Sequence, residues 1–245
     1  MDIDTILFLL LVAVGASVQT MTGFAMGLIV IGGVTALDLA EIQFTAAVIS
    51  LISLVNTIVA LRPTWRFIDF GYFKSVVLGI TPMLVVGVLL LELLSRESYE
   101  LLRSLLGVVI IVAGVMMMLK PKPWERQSPA WAATSVGCAG GIIAGLYSAG
   151  GAPLAYFMYR QPVDIRIIRA TLLSIFALST AGRTIVVGFA GHLTKDVWLT
   201  TAIAVPLVIV MTLVVSRINQ YAPDALVRRL AFILLVIIGG FLMLK

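Results

Sequence analysis

The chain has 245 residues, of which 61% are hydrophobic and 12% charged. Soluble domains carry about a quarter charged residues, so this composition excludes a soluble protein and indicates an integral membrane protein. The formal net charge of +5 comes from basic residues in short loops, where they set membrane orientation. We therefore expect a surrounding lipid bilayer and no nucleic-acid partner.

The sequence predicts eight apolar segments joined by short polar connections, which leave no room for a soluble domain. They span residues 6–37, 44–61, 73–94, 101–119, 130–159, 167–190, 197–215 and 226–244. Residues 1–4 are acidic, whereas a signal sequence is basic at this point. We therefore expect that the first segment is not cleaved and stays in the membrane.

Two of these segments contain Gly-rich, polar breaks. The first break, over residues 15–33, holds five glycines together with Ser17, Gln19, Thr20 and Thr22. The second break covers residues 137–153. In a bilayer, irregular backbone is stable only where it is buried in protein or lines a cavity. The breaks therefore predict a binding site.

The two halves of the chain repeat one another. Residues 22–23 match 149–150, and residues 56–59 match 183–186, both at an offset of 127. Further matches, such as Gly114 with Gly239, follow in the same order at an offset of 125. We predict an N-terminal repeat over 1–119, a linker over 120–129 and a C-terminal repeat over 130–245.

The distribution of Lys and Arg indicates how the segments cross the membrane. If all eight segments crossed, each face would hold eight basic residues. If the two broken segments instead re-enter as helix pairs, the basic residues divide twelve to four, as the positive-inside rule expects. The minority face then carries Arg96, Arg103, Lys195 and Lys245.

With re-entrant broken segments, each half contains three crossings, so the halves are inverted relative to one another. The predicted fold is an all-α integral membrane protein with two inverted repeats. Each repeat is a re-entrant, broken helix pair plus three transmembrane helices, and both termini lie outside the cytoplasm. The alternative keeps the first and fifth segments as tilted, interrupted crossings.

The candidate binding residues lie in and around the breaks. Helix N-termini expose backbone N–H groups and the positive end of the helix dipole, so they bind anions. We predict a substrate site formed by Gln19, Thr20, Thr22, Gly23, Asn56, Ser148, Gly150, Gly151 and Arg183. The alternative is that the glycines are helix-packing positions and the hydroxyl groups bond their own backbone.

Arg183 is the one basic residue well inside an apolar segment, and Asn56 is its counterpart in the repeat. Intramembrane charges are costly and by default functional. A guanidinium group there can attract an anion or hold it through two hydrogen bonds. The alternative is that the side chain snorkels to the headgroups.

Other titratable residues give little support for an enzyme or a metal site. The single cysteine, Cys138, excludes a disulfide or a thiolate metal cluster within the chain. With His192 as the single histidine, we expect neither a haem nor a zinc site, and no cofactor. Ser17 and Ser148 have no histidine base in sight. Glu92 lies near a segment end, where it could pair with Arg96 four residues on.

At residues 19–24 (Gln-Thr-Met-Thr-Gly-Phe) and 148–153 (Ser-Ala-Gly-Gly-Ala-Pro), the chain resembles the sulfite exporter TauE/SafE family of bacterial membrane carriers. The resemblance implies secondary transport of a small sulfur-containing anion such as sulfite, sulfoacetate or another organosulfonate, with no ATPase domain. Ala25 and Ala152 depart from the Gly-rich pattern of the family, which affects the choice of anion rather than the fold.

The function predicted is therefore that of a secondary anion transporter, multi-pass in the bacterial inner (cytoplasmic) membrane. An anion channel of the same architecture is the alternative, and a membrane enzyme is a weaker one. The sequence leaves open the direction of transport, the coupling ion and the oligomeric state, a homodimer included.

Overall fold

The computed structural model describes residues 3–118, 122–218 and 224–244, and these ranges contain helices and no strand. The α-helices are α1 Ile3–Thr22, α2 Met26–Ala36, α3 Ile42–Leu61, α4 Phe70–Glu97, α5 Tyr99–Met118, α6 Ala130–Tyr147, α7 Gly151–Tyr159, α8 Ile165–Phe189, α9 Lys195–Ile218 and α10 Asp224–Leu244. Over the described residues, seven helices are long and apolar enough to cross a membrane, namely α1, α3, α4, α5, α6, α8 and α9. The prediction of an all-α integral membrane fold is confirmed.

The first predicted break divides its segment into α1 and α2. At Gly23 the backbone takes a φ of +84°, a left-handed conformation that glycine adopts without steric cost. Ala25, with a φ of +88°, then begins α2. The two helices fold back on one another, because Gly33 near the end of α2 lies against the side chain of Leu11. We call this pair the first hairpin and residues 23–25 its tip.

The second break forms a similar second hairpin from α6 and α7. Ser148 ends α6 in the left-handed region with a φ of +55°, and residues 148–150 form the tip. The helices fold back here too, since a Cβ at Gly140 would lie 3.0 Å from the side chain of Leu154. Pro153 stands in the first turn of α7, where its missing N–H breaks no helical hydrogen bond.

The two tips meet inside the molecule. A Cβ at Gly27 would collide with the carbonyl oxygen of Ser148, and a Cβ at Gly151 would lie 2.8 Å from the Cβ of Phe24. Every residue of α2 is buried, as expected for a helix that is apolar on all sides. The hairpin tips therefore form the centre of the structure, with the longer helices around them.

Helices α4 and α6 pack side by side and run in the same direction. Gly79 of α4 faces Cys138, and Gly87, farther along α4, faces Gly145. A Cβ at Gly137 would collide with the carbonyl oxygen of Val76. Small residues thus bring the two backbones into direct contact, as small residues do where membrane helices pack closely. We call this contact the glycine seam.

Two other helix pairs join the halves of the chain, and both run antiparallel. On α5 and α10, Gly107 lies against Met243, while Gly114 lies against Leu235. On α3 and α8, Gln43 at the start of α3 contacts His192 just after α8, and Ser50 farther along α3 is bonded to Arg183 within α8. The predicted repeats over 1–119 and 130–245 therefore pack as one body; their boundaries remain a prediction, and residues 119–121 lie outside the described part of the chain.

Three basic connections come together at one end of the molecule, which we call the basic end. The backbone N–H of Trp124 donates to the carbonyl oxygen of Arg160 over 2.7 Å, and the guanidinium of Arg166 lies 5.2 Å from the ring centre of Phe67. If every segment crossed, the connection at 160–166 would lie at the opposite end from the other two. Their meeting is what the re-entrant arrangement predicts.

The opposite end holds a second set of connections. His192, between α8 and α9, lies 2.9 Å from the carboxylate of Glu92 near the end of α4. The expectation that Glu92 pairs with Arg96 is therefore wrong. Lys120 and Lys245, which entered the predicted charge distribution, lie outside the described residues.

Candidate functional site

A small cavity lies where the hairpin tips meet α3, α4 and α8; we call it the central cavity. Its volume is about 30 Å³, room for roughly two water molecules. It is lined by Gln19, Phe24, Ala25, Gly27, Leu28, Ser53, Ile80, Ala144, Ser148, Ala149, Gly150, Gly151, Leu154, Phe176, Ser179, Thr180 and Arg183. None of these lining residues is acidic.

Two helix N-termini open onto the central cavity. Helix α2 begins after Ala25 and α7 after Gly150, and neither N-cap residue supplies a side-chain hydrogen bond. The first N–H groups of a helix have no partner within the helix, and each N-terminus carries about half a positive charge. Both features favour an anion in the space between the tips.

Arg183 adds a full positive charge to the same place. Its side chain is buried, with 1% of the residue exposed. Its Nε donates to the carbonyl oxygen of Gly145 over 3.0 Å, and its Nη1 donates to the carbonyl oxygen of Ala46 over 2.7 Å. The guanidinium is thus held inside the protein, and the snorkelling alternative is wrong.

One nitrogen of the Arg183 guanidinium is left over. Nη2 is buried and has no hydrogen-bond partner among the described residues, although its residue lines the central cavity. A buried donor of a charged group without a partner is unfavourable, costing about 1–3 kcal/mol or more. An anion bound beside this nitrogen would satisfy it.

Serine side chains join Arg183 to the tip of the second hairpin. The Nη1 of Arg183 lies 2.6 Å from the hydroxyl of Ser50 on α3, which lies 3.1 Å from the hydroxyl of Ser148. On the other side of the cavity, the amide of Gln19 donates to the hydroxyl of Ser53 over 3.1 Å. Hydroxyl groups can rotate to donate to an anion, so these serines can adjust their hydrogen bonds to a bound ligand.

Five of the nine predicted site residues line the central cavity: Gln19, Ser148, Gly150, Gly151 and Arg183. The other four lie outside its lining: Thr20, Thr22, Gly23 and Asn56. The side-chain amide of Asn56 donates to the hydroxyls of Thr20 and of Thr212, and the hydroxyl of Thr22 lies 2.8 Å from the carbonyl oxygen of Phe24. These side chains support the first hairpin rather than face the cavity.

The sequence analysis missed the polar residues that α3 and α8 contribute. Ser53 lines the cavity, as do Ser179 and Thr180, and Ser50 bonds Arg183. A signal for them exists, because Ser53 lies three residues before Asn56 and Thr180 three residues before Arg183. In helices, that spacing places polar side chains on one face.

The arrangement suits an anion and offers little for catalysis. It combines a buried guanidinium, two uncapped helix N-termini, hydroxyl groups and the apolar rings of Phe24 and Phe176. Nothing in the lining pairs a nucleophile with a general base. Across the described part of the chain, no group of three or more His, Cys, Asp or Glu residues could hold a metal ion.

Comparisons with known proteins agree with this chemistry. The family model described as "Sulfite exporter TauE/SafE" matches residues 7–242. A protein of Cupriavidus necator named "Probable sulfite/organosulfonate exporter TauE" is 38% identical over 234 residues, which cover 96% of this chain and 91% of the relative. No solved structure matches the chain.

Proposed function

The chain belongs to the sulfite exporter TauE/SafE family and is a membrane transporter rather than an enzyme, and from that premise we propose its substrate and mechanism. The protein moves a small sulfur-containing anion, namely sulfite, sulfoacetate or a related organosulfonate, across the bacterial cytoplasmic membrane. It does so as a secondary carrier by alternating access, and the central cavity is the substrate site.

The unpaired Nη2 of Arg183 is the observation that carries this proposal. It combines a buried cation with an unsatisfied donor at the point where two helix N-termini meet. Sulfite and sulfonate groups carry several oxygen acceptors on one sulfur atom. Nη2, the Ser148 hydroxyl and the backbone N–H groups at Gly27 and Gly151 can then share its three oxygens.

Alternating access fits the size of the central cavity. The cavity of about 30 Å³ has room for roughly two water molecules, whereas sulfite has four non-hydrogen atoms, so the cavity must widen to admit it. We propose that the hairpins are the moving elements of two inverted repeats, 1–119 and 130–245, joined by the linker 120–129. The first hairpin starts from the His192 end and the second from the basic end, so each can open the cavity to one face.

Flux into proteoliposomes tests the transport activity. Sulfite labelled with sulfur-35 should enter saturably, unlabelled sulfoacetate should compete with it, and Arg183→Gln should abolish both effects. Arg62→Gln is the matched control, because Arg62 is an exposed arginine at the basic end. No flux of either compound through folded wild-type protein would refute the proposed substrates.

Counterflow separates the carrier from the channel alternative. In vesicles preloaded with unlabelled sulfite, a carrier accumulates labelled sulfite transiently above its external concentration, because the unlabelled sulfite inside competes with the label for the outward step. A channel gives no such overshoot. Flux without an overshoot would therefore contradict the alternating-access mechanism, while the proposed anion specificity would stand.

A further inference from the structure

A second cavity lies beside the central cavity, between residues 77–85 of α4 and residues 175–186 of α8; we call it the side groove. Its volume is about 150 Å³, against about 30 Å³ for the central cavity. None of the residues that line it is charged, and only Thr81 and Ser179 carry a polar side chain. The side groove therefore suits an apolar ligand.

The two helices that form the side groove are tied together at both ends. At the basic end, the backbone N–H of Asp69, just before α4, donates to the hydroxyl of Thr171 on α8 over 2.9 Å. At the opposite end, Glu92 of α4 lies 2.9 Å from His192, just after α8. Between these ties, a Cβ added at Gly182 would meet no described atom within 4 Å. The side groove is thus the open middle of a helix pair whose ends are joined.

The side groove and the central cavity share part of their walls. Ile80 of α4 and Ser179 of α8 line both spaces. Gly182 in the side groove directly precedes Arg183 in the central cavity, and successive residues of an α-helix point about 100° apart. The two spaces therefore lie on neighbouring faces of α8. Because the central cavity must widen to admit an anion, widening past Ile80 and Ser179 joins it to the side groove.

We propose that the side groove holds the carbon chain of an organosulfonate whose sulfonate group lies at Arg183. The proposal rests on the proposed transport function, and it names a preferred substrate class, sulfonates with an uncharged chain of several carbons. An engineered apolar cavity of about 150 Å³ in another protein binds benzene, a ligand of six carbon atoms. The side groove of similar volume has room for a chain of a few carbons.

The lining of the side groove determines which chains it accepts. A carboxylate or ammonium group at the end of the chain would find no opposite charge in the lining, and burying an unpaired charge is unfavourable. The hydroxyls of Thr81 and Ser179 already donate to the carbonyl oxygens of Val77 and Phe176 in their own helices. An apolar chain, in contrast, gains by leaving water. Sulfite and sulfoacetate bind at Arg183 without using the side groove.

An acyl chain of the surrounding lipid is the other apolar group that could enter the side groove, because Val85 and Leu178 in its lining are exposed. The side groove continues into the central cavity, however, where Arg183 holds an anion rather than a lipid tail. The two occupants predict different results. An acyl chain that stayed in the side groove would exclude the carbon chain of a sulfonate and make its affinity independent of chain length.

Competition against labelled sulfite in proteoliposomes tests the proposal. The competitors are methane-, ethane-, propane- and butanesulfonate, which share one headgroup and one charge. Each further methylene buried in the side groove should lower the inhibition constant about fourfold. In 2-hydroxyethanesulfonate a hydroxyl replaces the terminal methyl of propane-1-sulfonate, and it should bind at least about fivefold more weakly than that compound. Inhibition constants that do not change along the series would overturn the proposal.

Two variants fill the side groove from opposite sides. Val85→Phe extends into it from α4, and Gly182→Leu extends from α8, where leucine is also a better helix former than glycine. Each should make the inhibition constant independent of chain length. Val86→Phe is the matched control, because Val86 is 39% exposed against 40% for Val85 but does not line the side groove. It should retain the dependence on chain length. The same dependence in both filled variants would overturn the proposal.

Thermal unfolding of the purified protein distinguishes failure of this proposal from failure of the transport function. A ligand that binds the folded state raises the unfolding temperature, so each further methylene should raise it more at one fixed sulfonate concentration. This stabilisation without any sulfite flux would support the side groove and refute the transport function. Wild-type sulfite flux, with stabilisation that does not depend on chain length, would refute the side groove alone.

Discussion

Arg183 allows charge and geometry to be separated in substrate binding. Arg183→Lys keeps the positive charge but removes the planar group that carries Nη2. A hydrogen bond to a charged group contributes about 1.5–3 kcal/mol, so we expect sulfite to bind roughly 10- to 150-fold more weakly. Arg183→Gln also removes the charge. At an effective dielectric constant of about 20, two unit charges about 4 Å apart interact by about 4 kcal/mol, which corresponds to roughly a thousandfold weaker binding.

The same substitutions should change stability little. Arg183 donates hydrogen bonds to Gly145, Ala46 and Ser50, each of about 1.5–3 kcal/mol. Against this stands the desolvation of a buried charge that pairs with no acidic residue in the described part of the chain, which costs several kcal/mol. The two contributions are of similar size, so the unfolding temperature of Arg183→Gln should lie within a few degrees of that of the wild type. For a residue that only supported the fold, the substitution would lower the unfolding temperature and leave the sulfite affinity unchanged.

Equilibrium binding of labelled sulfite to the purified proteins, together with their thermal unfolding, is the deciding pair of measurements. The wild type, Arg183→Lys, Arg183→Gln and the exposed control Arg62→Gln are compared in one detergent. Wild-type affinity in Arg183→Lys would show that Nη2 does not contact the anion. A large drop in unfolding temperature with unchanged affinity would show that Arg183 only clamps the second hairpin to α3.

Three further predictions concern the hairpin tips and their support. Gly27→Ala should destabilise the protein by about 1–3 kcal/mol and reduce transport, because the new Cβ meets the Ser148 carbonyl. The control is Gly182→Ala, which has open space around it and should keep or raise the unfolding temperature. Ala25→Gly should retain transport while Ala25→Val lowers the yield of folded protein, because a φ of +88° is strained for a β-branched residue. Tyr147→Phe removes the hydrogen bond to the Leu102 carbonyl and should cost about 1 kcal/mol in denaturant or thermal unfolding, with sulfite affinity unchanged.

The break positions could be predicted from sequence because their signal is local. Polar and Gly-rich residues inside an apolar segment have no place against lipid, and the predicted breaks over 15–33 and 137–153 contain the two turns, at Gly23 and Ser148, that the structure shows. The buried position of Arg183 followed in the same way from a charge in an apolar helix. These features depend on the chemistry of a short stretch, which the sequence contains in full.

Contacts between residues far apart in the sequence could not be predicted in this way. Glu92 was expected to pair with Arg96 one turn away, but its partner is His192, a hundred residues on. Asn56 was placed in the site through its repeat relation to Arg183, yet it bonds Thr20 and Thr212. Which polar group meets which depends on the packing of the helices, and helix periodicity gives only the face on which a residue lies.

The glycine seam between α4 and α6 also bears on how the protein moves. Helices that interlock through large side chains must change rotamers before they slide, whereas Gly79, Gly137 and Gly145 present almost no side chain to cross. Such a contact permits shear, the small sliding of packed helices along one another. Since α6 carries the second hairpin tip, a slide along α4 would shift that tip without breaking the core apart. The glycine seam is therefore the contact along which one half of the molecule can slide against the other with little rearrangement of side chains.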